Sequence, residues 1–156
     1  MIILKNKVDN VIKYSLVVLM TLMVFNVLWQ VFTRFIMNDP SSFTDELARY
    51  LLIWLGLLGA AYVTGQNMHL AIDYLLNKTN FNVKTKLEYM INILIFLFAF
   101  FVMVIGGANL VSLTLYLEQI SAALQIQLGY VYIALPLSGI LIMFYSGINI
   151  IQQYKK

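Results

Sequence analysis

No cysteine occurs in this 156-residue chain, histidine occurs once, proline twice, and charged residues make up only 11% of the total. Without cysteine there is no disulfide, thiol nucleophile or cysteine-based metal site, which excludes a membrane thiol oxidoreductase. Zinc normally takes three or four protein ligands, so the lone His69 makes a poor metal site and no metal is expected. Soluble domains hold about 25% charged and about 45–50% apolar residues, whereas here the apolar share is 62%. The scarce charges are also unevenly placed. Residues 14–33, 50–68, 89–117 and 119–154 contain no Asp, Glu, Lys or Arg.

Crossing the hydrocarbon layer as a helix takes roughly 20 apolar residues. Each of the four runs reaches that length or nearly so. An unsatisfied backbone amide in lipid costs several kcal/mol, so these runs must be helices rather than open strands. The sequence therefore predicts an all-α integral membrane protein, a single domain over residues 1–156, with spans near 12–36, 45–67, 86–117 and 128–153. Lys5, Lys7 and Lys13 precede the first run, which is longer than a signal peptide's apolar region of about 7–15 residues and has no small-residue cleavage site after it. A retained first helix is expected. The net charge of +3 comes from Lys residues that flank helix ends and form no stripe, so no nucleic-acid partner is expected.

Cytoplasmic segments carry the excess of Lys and Arg. Lys5, Lys7 and Lys13 lie in the N-terminal tail, Lys78, Lys84 and Lys86 in the second connection, and Lys155 and Lys156 at the end. The first and third connections have none, although Arg34 and Arg49 lie just inside the helices flanking the first. The expected topology is N-in, C-in. The Asn38-Asp39-Pro40-Ser41-Ser42 turn and the loop 118–127 then face outward. The third run, if one helix over 87–117, would be roughly 45 Å long at about 1.5 Å per residue. That exceeds a hydrocarbon layer of about 30 Å, so it should tilt or project, and Gly106-Gly107 offers a bend. Residues 69–77 are apolar but too short to cross and are expected as an interfacial helix between spans 2 and 3, with a hydrogen bond between His69 and Asp73. Pro136 sits near the outer end of the last span, where a kink is cheap.

Several constellations bear on function. Asn26, Gln30 and Arg34 recur every four residues on one face of the first span, with Thr33 beside them. An amide is unfavourable against lipid, so the stripe should meet a neighbouring helix, line a polar path or dock a partner. The charge cluster is Phe43-Thr44-Asp45-Glu46-Leu47-Ala48-Arg49. Thr44 is a candidate cap, and Asp45 and Glu46 suit the first helical turn. Asp45 with Arg49 is an i,i+4 pair, Glu46 with Arg49 an i,i+3 pair, and Arg34 is in reach. The readings are an ion-pair clamp or a docking surface. A catalytic carboxylate pair lacks a metal ligand, nucleophile or second base nearby, and no enzymatic activity is expected. Gly56 with Ala60, and Ala61 with Gly65, are small-xxx-small pairs suited to close helix packing.

Ion-coupled transporters need an ionisable or broken-helix site near the bilayer midplane. Here Asp9, Asp39, Asp45, Glu46, Asp73, Glu88 and Glu118 all fall at expected helix ends or in loops. That pattern disfavours the alternative of a self-sufficient small multidrug-type exporter and favours a non-catalytic subunit without a substrate site of its own.

The run Val31-Phe32-Thr33-Arg34-Phe35, then Thr44-Asp45-Glu46-Leu47-Ala48-Arg49-Tyr50, Trp54, Gly59-Ala60-Ala61, His69 and Asp73, resembles the small membrane subunit (Q subunit, DctQ-type) of TRAP transporters. Ser121-Ala122-Ala123-Leu124-Gln125-Ile126, with Tyr132 and Pro136, is similar to that family's stretch before the last helix, with Ala122 where a proline is expected. The resemblance implies a scaffold subunit in the bacterial inner membrane, among its lipids. It implies two partners, a large membrane subunit carrying the substrate and sodium sites and a periplasmic substrate-binding protein. No cofactor is implied for the small subunit. Family substrates include C4-dicarboxylates and sialic acids, with an overall likeness leaning to sialic acid. Arg34, Asp45, Glu46 and Arg49 are then expected to brace the outer end and to meet the binding protein.

Overall fold

The computed structural model describes residues 2–39, 41–66 and 81–154, with side chains for residues 5–39, 41–66 and 86–152. His69, Asp73 and the segment 69–77 lie outside the described residues. The first helix, α1 (Ile2–Phe35), begins well before the apolar run and takes Lys5, Lys7, Asp9 and Lys13 into it. At ~1.5 Å per residue it is about 50 Å long, so its charged first turns extend beyond what a bilayer core covers. Arg34 in its last turn complements the negative end of the helix dipole.

Helix α2 (Ser42–Gly65) starts three residues before the expected boundary, and Ser41 is its N-cap in an extended conformation. The Thr44 hydroxyl donates to the Ser41 carbonyl at 2.8 Å, so Thr44 lies inside the first turn rather than at the cap. The third span runs through three segments: α3 (Phe81–Phe98), a π-helical stretch (Ala99–Gly106) and α4 (Gly107–Tyr116). The π stretch ends at Gly106, where the double glycine falls.

The last span is divided into α5 (Leu128–Tyr132) and α6 (Ala134–Tyr154). Proline has no N–H to give to the carbonyl four residues earlier. Pro136 therefore leaves the Tyr132 carbonyl without its helical donor, and the break falls at Ile133. Helical bonds resume on either side, Ile133 N–H to Gly129 at 3.2 Å and Leu137 N–H to Ile133 at 3.2 Å.

Four helices are long and apolar enough to cross a membrane, over Lys5–Phe35, Ser42–Gly65, Lys86–Tyr116 and Leu128–Gln152. They alternate in direction, so residues 2, 65, 81 and 154 end at one side (the terminal end) and residues 35, 42, 116 and 128 at the other (the loop end). Helix α1 packs on α2, α2 on α6, and α6 on α3 and the π stretch. Among the described residues α1 shares no extended face with the third span, so the helices form a row, α1–α2–α6–α3, rather than a closed ring.

Lipid tails are as apolar as leucine, so close packing rather than the hydrophobic effect holds such helices together. The core supports this: Ala61, Ala99, Met103 and Ile142 are buried together where α2, α6 and the π stretch converge. A Cβ on Gly139 would stand 2.7 Å from the Met103 Cβ and 3.3 Å from the Ala99 carbonyl oxygen. The π stretch thus coincides with a close approach of α6. Elsewhere the row presents apolar side chains outward, including Phe25, Leu28, Leu52, Leu94, Phe98 and Phe101, as lipid-facing helices require.

Candidate functional site

The densest polar contacts lie at the loop end, and they are built around Glu46. The third connection folds into a short hairpin with an antiparallel bridge between Ile120 and Gln127. Ser121 N–H donates to Ile126 and Leu128 N–H to Gln119, each at 2.9 Å. Glu118 and Gln125 hold left-handed φ angles of 49° and 56°, a region uncommon for non-glycine residues. The tip of this hairpin turns its backbone amides onto the Glu46 carboxylate. Oε2 accepts the Ser121 hydroxyl at 2.7 Å, Ala123 N–H at 2.8 Å and Leu124 N–H at 2.9 Å. Oε1 accepts Tyr50 O–H at 2.9 Å and Ala122 N–H at 3.2 Å. An ionised carboxylate is an acceptor only, with room for about four donors. The five protons that converge here leave Glu46 no further valence.

Chemically the arrangement is a clamp. Loop amides that cannot join a ladder or helix must find another acceptor, and a carboxylate in a helix's first turn supplies two oxygens on a rigid base. Ala122 contributes one of the donors directly. A proline at that position would have no N–H to give, so the alanine adds a bond that the expected proline lacks.

The same helix end is fastened to α1. Asn26, buried, donates through Nδ2 to the Thr44 carbonyl at 2.8 Å, and Gln30 Nε2 donates to Asp45 Oδ1. Thr33 bonds within its own helix, to the Gln30 carbonyl at 3.0 Å. The polar face of the first span therefore meets the N-terminal turns of α2. Arg34 and Arg49 behave differently from the ion-pair reading: both are exposed, and among the described residues neither forms an ion pair with Asp45 or Glu46. The physical reason is competition, because Gln30 holds Asp45 and the loop occupies Glu46.

A second tie sits at the terminal end. Tyr145 on α6, fully buried, donates its hydroxyl to Asp9 Oδ1 on α1. Gln66 Nε2 donates to the other Asp9 oxygen at 3.4 Å, and Asn149 Nδ2 donates to the Thr64 carbonyl at 3.2 Å. Of the small residues on α2, Ala61 and Gly65 are buried. Gly65 stands against the Tyr145 ring, 2.7 Å from where its Cβ would be. Gly56 and Ala60 are exposed, and a Cβ on Gly56 would meet nothing within 4 Å. The sequence alone did not single out Ser121, Leu124, Tyr50, Tyr145 or Asp9 as partners. Tyr50 reaches Glu46 at the ordinary i,i+4 helical spacing, whereas the other contacts join residues far apart in the chain, and only the family-like stretch beginning at Ser121 hinted at the loop. Among the described residues no group of three or more His, Cys, Asp or Glu could hold a metal ion.

The family model for the DctQ component of tripartite ATP-independent periplasmic transporters matches residues 14–156. The chain belongs to the DctQ family. It is accordingly a multi-pass protein of the bacterial inner membrane. Curated relatives agree. A Haemophilus influenzae protein assigned as a TRAP transporter small permease is 37% identical over 73 residues, covering 47% of this chain and 44% of the relative. The sialic acid TRAP transporter small permease SiaQ of Vibrio cholerae is 26% identical over 141 residues, covering 90% of this chain and 80% of SiaQ. The sialic acid TRAP transporter permease SiaT of Haemophilus influenzae is 24% identical over 115 residues, covering 74% of this chain but 18% of that longer protein. The match thus spans less than half of the first relative and most of the second. Of Arg34, Asp45, Glu46 and Arg49, Glu46 is the one whose side chain fixes the loop 121–124.

Proposed function

We propose that this DctQ protein is the small, non-catalytic scaffold subunit of a sodium-coupled TRAP importer of organic acids. The reading is carried by how the carboxylates inside the helix row are used. Glu46 at the loop end ties α2 to the loop before the last span, and Asp9 at the terminal end ties α1 to α6. Groups consumed in that way brace a layer of helices and are not free to bind or release an ion. A row that is not closed into a ring also leaves apolar surface open to a larger neighbour, which suits a part that holds a partner still while the partner moves.

In this reading the topology is N-in, C-in, as the Lys and Arg distribution favours. The Glu46 clamp is then outside. The partners are a large membrane subunit that carries the substrate and sodium sites, and a periplasmic binding protein that delivers the substrate at the outer end, near Arg34. The small subunit itself holds no cofactor. A relative named as a sialic acid small permease supports sialic acid as the cargo of the assembled transporter.

The test is uptake in cells carrying the large subunit and the binding protein, with and without this chain. Sodium-dependent uptake should require the chain, while the sodium stoichiometry of functional variants stays constant. Reconstituting the chain alone in liposomes decides against the exporter alternative if no substrate-coupled ion flux appears. Flux without partners would overturn the scaffold reading.

A further inference from the structure

Glu46 and Asp45 are the carboxylates one helical turn before Arg49, at i−3 and i−4; the loop fills Glu46, and Asp45 accepts from Gln30 on one oxygen without pairing with Arg49. Arg49 itself is exposed on a membrane-spanning helix and forms no ion pair among the described residues. A guanidinium facing lipid is costly and is almost always matched by a counter-charge or a polar cavity. On the same exposed face of α2 lie Leu52, Gly56, Ala60 and Val63, at spacings of three and four residues. A Cβ on Gly56 or Gly59 would meet nothing within 4 Å. Among the described residues, α1 and α6 flank α2 and leave this strip uncovered. The opposite side of α2 is the groove where Trp54 and Leu58 meet Ile12, Leu137 and Leu141.

We propose that this strip receives a transmembrane helix of the large subunit, one that places an Asp or Glu opposite Arg49 and lays its backbone against Gly56 and Ala60. The inference rests on the subunit reading above and names the surface it uses. Charge complementarity selects the occupant. A carboxylate at that depth satisfies Arg49 by a bidentate pair. Small residues below it admit a close helix backbone, which is what small-xxx-small faces do in membranes. A lipid chain gains no contact from glycine, so the small residues favour a helix over a phospholipid.

The test is co-purification of the large subunit through a tag on the full-length chain, both expressed together, for the unaltered chain, Arg49→Glu, Arg49→Lys and Gly56→Leu. Arg49→Glu and Gly56→Leu should lose the large subunit, while Arg49→Lys keeps it. Because nothing among the described residues lies near Gly56, Gly56→Leu should remain monodisperse with a melting temperature no lower than that of the unaltered chain, which separates lost docking from lost folding. Suppressors of Arg49→Glu selected in the large subunit should change an Asp or Glu to Lys or Arg. If Arg49→Glu and Gly56→Leu both retain the large subunit, this surface is overturned and Arg49 serves a lipid phosphate instead, while the subunit reading stands. If the unaltered chain recovers no large subunit, the subunit reading itself fails.

Discussion

The Glu46 carboxylate accepts the Leu124 backbone N–H at 2.9 Å across 78 residues of chain. With Ala123 and Ser121 on the same oxygen, one side chain in the first turns of α2 sets the shape of a loop between the third and fourth spans. Replacing it with glutamine keeps the size but turns one acceptor into a donor, aimed at groups that are donors themselves. Glu46→Gln should therefore loosen residues 119–127. Hydrogen exchange at the Ala123 and Leu124 amides should quicken, and the loop should become more sensitive to protease. Asp45→Asn, which keeps an oxygen to accept from Gln30, should leave those amides protected. Equal exchange in both variants would show that the loop holds itself.

Ala122 supplies the longest of the Glu46 bonds, at 3.2 Å. Ala122→Pro removes that donor and leaves Ser121, Ala123 and Leu124 in place. The loss of thermal stability should be smaller than for Glu46→Gln, measured side by side in the same detergent.

The four spans were legible in the sequence because lipid forces long apolar runs into helices, whatever their neighbours. The break at Ile133 was also foreshadowed, since Pro136 acts on its own backbone. The π stretch at Ala99–Gly106 was not, because that run is apolar on every side and offers no period to read. The charge cluster was half legible. Spacing along α2 pairs Asp45 and Glu46 with Arg49, and a local rule sees no further. Gln30 on α1 took Asp45 and the hairpin took Glu46, the latter because the loop's backbone amides have no ladder or helix carbonyl to bond. Asp9 with Tyr145 was invisible for the same reason, as 136 residues separate them.

The Asn26 bond to the Thr44 carbonyl is the buried link between α1 and α2 at the loop end. In bilayers such interhelical bonds average about 0.6 kcal/mol and reach roughly 1.7 at most. Asn26→Leu should accordingly cost about 0.5–1.5 kcal/mol in a folding measurement within lipid or mixed micelles. A loss beyond that range would mean that the stripe does more than pack helices.

At the terminal end, Tyr145→Phe deletes the hydroxyl that Asp9 accepts. Hydrogen bonds to charged groups contribute about 1.5–3 kcal/mol, and the half-exposed Asp9 side chain brings partial screening. The expected loss is roughly 1–2 kcal/mol. Asp9→Asn should cost less than Tyr145→Phe, since an amide oxygen still accepts from the tyrosine. The reverse order would place the stabilising role on the charge rather than on the hydrogen bond.

Gly65 and Gly56 lie on one helix and should respond to alanine with opposite signs. Alanine is favoured over glycine in a helix by roughly 0.5–1 kcal/mol. At Gly56 nothing opposes that gain, because a Cβ there has open space. Gly56→Ala should stabilise the isolated chain by about that amount. At Gly65 the new methyl would fall 2.7–2.8 Å from three Tyr145 ring atoms. The ring cannot swing aside cheaply, since it is fully buried and its hydroxyl is held by Asp9. Overpacking of that kind costs about 1–3 kcal/mol, which outweighs the helix gain, so Gly65→Ala should destabilise. Combining Gly65→Ala with Tyr145→Phe frees the ring to move, and the double variant should lose less than the two single losses added together. Strict additivity would indicate that the ring and the glycine are not coupled through the contact described here.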